Sequence, residues 1–306
     1  MNTVSIIAHN GNFHADDVFA VATILLVLEH SDFSGWRDAT PKIIRTRDPA
    51  IIKTGDFVVD VGGFYDEENN RFDHHQVGGA GIRSNGIPYA SFGLVWKKYG
   101  PKLCGSLIVA DLVEHKLVMP IDGTDNGIDM FEPVFPDVTP YTVYDFLYSY
   151  FPTWKDTDTH IDEVFLTVVN VAREMLRREI KNGRDNTEAR LIVEESYHKS
   201  QDKRIIILDK SYPAEVLDVL QRYPEPLFVI RPDEQNATWK ANAVRKNGYS
   251  FENKKNFPES WAGKRDSELA KASGIADAVF CHNKLFLAVA HSKEGALELA
   301  KKAINA

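Results

Sequence analysis

Cysteine is nearly absent from the 306-residue chain: Cys104 and Cys281 stand far apart, and neither has a CxxC partner. That excludes a thiolate zinc site and a disulfide framework, and it fits a reducing compartment. Long hydrophobic runs are missing too. The apolar run Val18 to Leu28 is too short to span a bilayer, and the acidic pair Asp16-Asp17, not a basic segment, precedes it. No membrane partner, signal or transit segment is expected, and a cytoplasmic location is. Positive charge is in deficit, with 36 Lys and Arg against 44 Asp and Glu and a formal net charge of −8. Bulk electrostatic binding to long duplex nucleic acid needs a broad basic face and is excluded; a short or single-stranded ligand in a local groove is not. There is also no low-complexity tract and no obvious repeat.

What is present reads as α/β. Val4 to Ala8 is an apolar run ending at His9, a buried strand. Phe13 to Leu28 then reads as a helix, apolar on nearly every side and so buried all round. Ile43 to Thr46 and Phe57 to Val61 are further strands, and Arg71-Phe72 returns from the turn-rich stretch Asp66 to Asn70 as a hairpin-like excursion. If so, Asp60 and His74 lie near each other at its base. A helix opens at Ser91 in capping position, where free N–H groups can hold a phosphate. Another covers Gly105 to His115, and the loop Pro120 to Gly127 follows. Asp129 to Asp158 is aromatic and proline-rich, expected as helices packed over the first domain. Helices at Ile161 to Ile180 and Thr187 to about Ser200, separated near Gly183, form a connector. From Arg204 a second module reads as strands at 204–208, 227–231, 239–244, 278–282 and 285–291, with a helix from Pro213 to Arg222. A last helix, capped by Ser292, runs to Ala303. The expected domains are 1–158, a connector 159–202, and 203–306.

The chemistry concentrates early. Five of the ten histidines fall in the first 75 residues. His9, His14, Asp16 or Asp17, Asp60, Asp73, His74, His75 and Asp122 or Asp125 combine imidazole and carboxylate without thiolate, a donor set for Mn²⁺, Mg²⁺, Fe²⁺ or Zn²⁺. There are ligands enough for two ions, with Asp60 placed by sequence order to bridge them. Two such ions about 3.5–4 Å apart lower the pKa of a shared water and clamp the oxygens of an in-line phosphoryl displacement.

These residues carry a resemblance. Asp73-His74-His75, with His9, the His14-x-Asp16 pair, Asp60 and the loop Thr124-Asp125-Asn126-Gly127, resembles the DHH phosphoesterase superfamily. More closely, the segments His9 to Asp17, Asp60 to Gly63, Arg71 to Gln76 and Pro258 to Asp266 resemble the melanocyte-proliferating-gene (MYG) family, over nearly the whole chain. The resemblance implies a parallel-sheet DHH-type N-terminal domain, a helical connector and a smaller C-terminal α/β domain with a mixed sheet, the active site lying in the cleft. It implies a metal-dependent hydrolase, with 3′–5′ RNA exonuclease activity attributed to eukaryotic members, acting through a two-metal-activated hydroxide. One metal would be held by His9, His14 and Asp60, and the second by Asp16, Asp60, His74 and Asp125. His75 would face the substrate phosphate, with Asp73 orienting an imidazole. His14 departs from the wider superfamily, where Asp is usual. It removes a negative charge, which favours Mn²⁺ or Zn²⁺ over Mg²⁺; two Mn²⁺ are the expected cofactors. Asp125 is preferred to Asp122, which is expected as a hydrogen-bond supporter.

A second constellation, Arg245, Trp261, Arg265, Asp266, His282 and His291, lies in the C-terminal module. Arg245, Arg265 and His282 are expected to grip a phosphate or an oligonucleotide end, as Ser91 is through its helix N-terminus. Trp261 is expected as a packed anchor and Asp266 as a helix cap. The expected partner is RNA or a short oligonucleotide. The rivals are a small-molecule phosphatase acting on pyrophosphate or a nucleotide phosphate, and a non-catalytic protein holding a structural ion. Oligomeric state is left open, a homodimer among the options.

Overall fold

The apolar run at the start of the chain forms a strand, β1 (Thr3–Ala8), in the computed structural model, which describes residues 3–30, 33–36, 39–157, 160–248 and 251–306. Asp158, the expected end of the first domain, lies outside them. A turn leads into α1 (Ala15–Glu29), buried continuously from Ala15 to Val27 as its all-round apolarity requires. There follow β2 (Thr40–Arg45), α2 (Pro49–Ile52), β3 (Phe57–Val59), β4 (Tyr65–Asp66), β5 (Arg71–Phe72) and α3 (Ser91–Cys104). The strands form one sheet in the order β2-β1-β3-β5-β4. The first four run parallel, and β4 pairs antiparallel with β5, so the hairpin excursion is the edge of a parallel sheet. The helix α1 packs between this sheet and α3.

The helical region after α3 is longer than the sequence pattern indicates. Leu107–Val113 (α4) continues through a π turn, Glu114–Val118, into α5 (Met119–Asp125), so Asp122 and Asp125 sit on a helix and not in a loop. Pro120 signals a break because its ring clashes with the carbonyl four residues back. The widened π turn just before it removes that clash. The aromatic segment departs in the other direction: between 129 and 157 the described residues hold one short helix, α6 (Val143–Tyr148), and Tyr141, Tyr148 and Trp154 are exposed. The two expected connector helices are a single 39-residue helix, α7 (Ile161–Lys199). Gly183 is not a break. A Cβ there would stand 2.9 Å from Val109 Cγ1, so its small size permits close packing, against a helix-propensity cost of about 1 kcal/mol.

The chain divides into two compact units, Met1–Arg184 and Asp185–Ala306, and α7 runs from one into the other. The second unit contains β6 (Ile205–Ile207), a 3₁₀ helix at Ala214–Arg222, β7 (Phe228–Asp233), β8 (Thr238–Ala243), α8 (Asp266–Ser273), β9 (Ala278–Cys281), β10 (Leu287–Ala290) and α9 (Lys293–Asn305). Its sheet runs β6-β7-β8-β10-β9. Only β6 and β7 are parallel, which makes the expected mixed sheet. Ser292 Oγ caps α9 by accepting from Gly295 N at 2.9 Å. Trp261 is buried against Phe257, whereas Asp266 is the first residue of α8 and Arg265 stands at the cap. No helix of the described residues is long and apolar enough to cross a membrane.

A buried ion network braces the first unit. The fully buried Asp122 receives Arg83 Nη2 at 2.7 Å and Gly93 N at 3.0 Å, and Arg83 Nε reaches Glu114 at 2.7 Å. Any side chain at 93 would collide, since a Cβ would lie 1.8 Å from Asp122 Oδ2. Burial pushes the Asp122 carboxyl up to about 7, although Arg83 and the Gly93 N–H pull it the other way. Removing Arg83 leaves this carboxylate buried and unpaired. Arg83→Ala should therefore lower the unfolding free energy by about 3–5 kcal/mol in urea titrations at pH 8. The deficit should shrink at pH 5, where a neutral Asp122 needs no cation; a pH-independent loss would contradict this account.

Candidate metal centre

Three neighbouring parallel strands end side by side, and each end carries ligand chemistry. β1 runs out into His9, β3 into Asp60, and β5 into Asp73-His74-His75. Adjacent strands lie about 4.8 Å apart, so these ends deliver their side chains to one place. This is the carboxyl edge, where open α/β sheets hold ligands. Asp60 adopts the left-handed region (φ 53°), which Asp tolerates better than most residues, and its N–H donates to Phe72 O at 3.0 Å. Gly62 and Gly63 continue with positive φ. The turn brings Gly63 N within 2.6 Å of Asp73 Oδ2.

His9 Nδ1 lies 3.1 Å from the Asn10 carbonyl, which can only accept, so Nδ1 carries the proton. Its Nε2 faces Asp17 Oδ2 and Asp60 Oδ2, each at 3.3 Å. His74 Nε2 lies 3.2 Å from Asp125 Oδ2 and 3.5 Å from Asp60 Oδ1. Ligand atoms of His9, His14 and Asp60 fall within 4.8 Å of one another, as do those of Asp60, His74 and His75, and those of Asp16, His74 and Asp125. Asp60 and His74 each belong to two of these groups. His75 is mostly exposed and is held by Asp73, whose Oδ1 accepts from His75 N at 3.1 Å and contacts Nδ1 at 2.8 Å.

Charge in this cluster is poorly balanced without a cation. Burial, then Asp125, Asp60 and Asp122, pushes Asp16 well above the usual carboxylate range. Burial likewise lifts Asp17 to about 7. His74 moves up to about 11: burial opposes its charge, but contacts with Asp125 and Asp60 outweigh that. Asp60 is held low in spite of its burial by His74 and His9. Asp60 Oδ1, His74 Nε2 and Asp17 Oδ2 are all buried without a hydrogen bond. Orphaned lone pairs facing one another across a few ångströms are what divalent cations relieve, so the residues fit such an ion.

Residues 5–304 match the family MYG1_exonuc, described as an uncharacterised protein family (UPF0160). The chain belongs to this family. MYG1 exonucleases of Mus musculus and Homo sapiens are 30% and 31% identical to it; each alignment covers 96% of this chain, with 83% and 84% of theirs. The MYG1 protein of Chlamydia pneumoniae is 32% identical over 95% of this chain and 93% of its own. Among solved structures, RecJ in complex with Mn²⁺ from Thermus thermophilus aligns with 99% of this chain and 52% of its own, at 11% identity and a TM-score of 0.29. Nothing about the site follows from a superposition that loose.

In this member of the MYG1_exonuc family, His9, His14, Asp16, Asp60, His74 and Asp125 come together. Of the paired alternatives, Asp16 joins the group around His74 and Asp125, while Asp17 contacts His9 and accepts His14 N at 2.8 Å. The phosphate expected at Ser91 is corrected. Ala90 is the cap, and the N–H groups of Ser91 and Phe92 donate to Asp16 at 3.0 and 2.6 Å, with Gly93 N going to Asp122. Carboxylates fill that helix end, so no free donors remain for a phosphate. Arg245, Arg265 and His282 belong to the second unit. Arg265 stacks on Phe280 at 4.3 Å, with the His282 ring 6.1 Å from the same side chain, and Arg245 lies over Phe251. Tyr144 was not foreseen: its hydroxyl donates to Asp125 Oδ1 at 3.2 Å. One tyrosine among eleven carries no sequence signal for this.

Because His74, pushed up to about 11, carries a proton near neutrality and a cation requires its bare lone pair, metal binding should release protons, and the upward shift of Asp16 acts in the same direction. Mn²⁺ titrations at pH 7 in two buffers of different ionisation enthalpy should give different apparent heats, and affinity should rise from pH 6 to 8. Equal heats with a flat pH dependence would overturn the assignment of these groups to the ion.

Proposed function

We propose that this chain is a metal-dependent phosphodiester hydrolase, a 3′–5′ exonuclease acting on RNA or short oligonucleotides in the cytoplasm. The observation that carries the reading is the convergence of His9, Asp60 and His74 from three adjacent strand ends, with Asp60 Oδ1 and His74 Nε2 buried without a hydrogen bond. The names of the mouse and human relatives support it, and two buried free cysteines fit a reducing compartment.

His9, His14 and Asp60 would hold one cation, and Asp16, Asp60, His74 and Asp125 a second, with Mn²⁺ the preferred metal. When bound, such ions acidify water and neutralise charge on phosphoryl oxygens. The protein's own groups supply the rest. His9 is fixed in one tautomer by the Asn10 carbonyl, which leaves the Nε2 lone pair, on the Asp60 side of the ring, available to a cation. Asp16 spends one lone pair of each oxygen on the α3 N–H groups, which locks its carboxylate plane. His75 stands at the exposed side of the cluster. Its contact with Asp73, partly offset by burial, raises its pKa, which favours the protonated ring as a donor to a phosphoryl or leaving oxygen. Arg265 and His282, in the second unit, are proposed to bind the nucleic acid.

His74→Ala should retain the fold by circular dichroism and lose more activity than the ~10–100-fold that outer partners of metal ligands cost. Initial rates with Mn²⁺ on a pentameric RNA, a dinucleotide and pyrophosphate test the substrate; dominant pyrophosphate turnover would replace the nuclease by a small-molecule phosphatase. His14→Asp restores a negative charge at the first site and should lower the Mn²⁺-to-Mg²⁺ rate ratio. An unchanged ratio would remove His14 from the ligand set.

A further inference from the structure

A cavity of about 1040 Å³ opens on the second unit, lined by the 3₁₀ helix Ala214–Arg222, β7, β8 and residues 251–253. That is just above the usual range of small-ligand pockets, about 300–1,000 Å³. Its cations are under-used. Arg231 donates from Nε to Asn242 Oδ1 at 3.1 Å and from Nη1 to the Tyr212 carbonyl, yet it makes no ion pair among the described residues. Asp233, two residues along β7, is taken by Lys240 at 2.7 Å. Burial pushes the Arg231 guanidinium pKa down, as expected of a cation short of counter-charge. Arg245 and Lys284 line the same cavity, also without ion pairs among the described residues, while Lys246 is occupied by Glu252 at 3.0 Å.

Two aromatic rings face this space at unusual exposure: Phe251 at 87% and Phe286 at 38%. An exposed phenylalanine beside a cation is what a stacking platform for a base requires, and Arg245 already lies 4.8 Å over the Phe251 ring. Asn253 Nδ2 donates to Asn256 Oδ1 at 2.7 Å, which leaves an amide oxygen on one and an amide nitrogen on the other. Such a donor–acceptor pair matches the edge of a base. Glu215 and Asp218 also line the cavity. With Glu252 they set three acids against four cations, a balance suited to one phosphate carrying a base and unsuited to a pyrophosphate.

We propose that this cavity is a nucleotide site, seating one base and its phosphate from a single-stranded substrate or product. Arg231, Arg245 and Lys284 would face the phosphate, and Phe251 and Phe286 would stack on the base. The proposal rests on the nuclease reading for its ligand class, but none of the candidate metal ligands lies in this unit, so chelation leaves the cavity in place. The probe is 5′-AMP, titrated calorimetrically into the full chain in EDTA, with adenosine and pyrophosphate as comparisons. AMP should bind more tightly than either. Phe251→Ala should weaken it roughly 5- to 150-fold, the loss of one stacking contact. With a labelled RNA pentamer, Arg245→Gln should reduce the slope of log affinity against log salt by about 0.7. Absent AMP binding, binding indifferent to both variants, or preference for pyrophosphate would each overturn the proposal. AMP binding by a parent protein that hydrolyses no RNA with Mn²⁺ would instead retain the cavity's role and sink the nuclease reading.

Discussion

The confinement of carboxylates and imidazoles at the carboxyl edge of one parallel sheet is the constraint on which the first unit depends. Asp16, Asp17 and Asp60 are almost wholly removed from water, and Asp125 stands beside them. Like charges so close are tolerated only through specific partners. Two N–H groups of α3 meet Asp16, the His14 backbone meets Asp17, and His9 and His74 meet Asp60. What those contacts leave unpaired is a set of lone pairs aimed at one another, and a divalent cation is the natural counter-charge.

That demand shapes the surrounding fold. Asp60 occupies a left-handed backbone conformation, a strain of about 1–3 kcal/mol that the hydrogen bond from its N–H to the Phe72 carbonyl offsets in part. The helix α3 takes its N-terminal partners from Asp16, some 75 residues earlier, and from Asp122. Asp122 is fixed in turn by Arg83, and a glycine at 93 is required because any larger residue would strike that carboxylate. One electrostatic arrangement thus ties together α1, α3, α5 and the Arg83 loop.

The two units divide the chemistry. The first concentrates negative charge and imidazole on a rigid sheet edge, a setting for cations and for the phosphate they bind. The second holds under-used cations beside exposed aromatic rings and amide side chains on a mixed sheet. A net charge of −8 over the whole chain conceals this, because the acidic excess near the metal ligands would be offset by bound cations while the second unit keeps local positive charge.

The α/β class, the buried first helix, the hairpin edge, the mixed C-terminal sheet and the His and Asp residues that gather at the sheet edge were legible in the sequence. These are local signals: apolar runs, turn residues, and His beside Asp at the ends of strands. Tertiary structure decided the rest. Which of Asp16 and Asp17 joins His74 depends on where α1 begins relative to α3. The loss of Ser91 as a phosphate anchor follows from a carboxylate arriving from another element. Pro120 and Gly183 read locally as breaks, yet a π turn and a close contact with Val109 carry their helices through. Tyr144 reaches Asp125 across nineteen residues of irregular chain. Propensity and spacing act over a few residues; the satisfaction of buried polar atoms is settled by whatever the fold brings near.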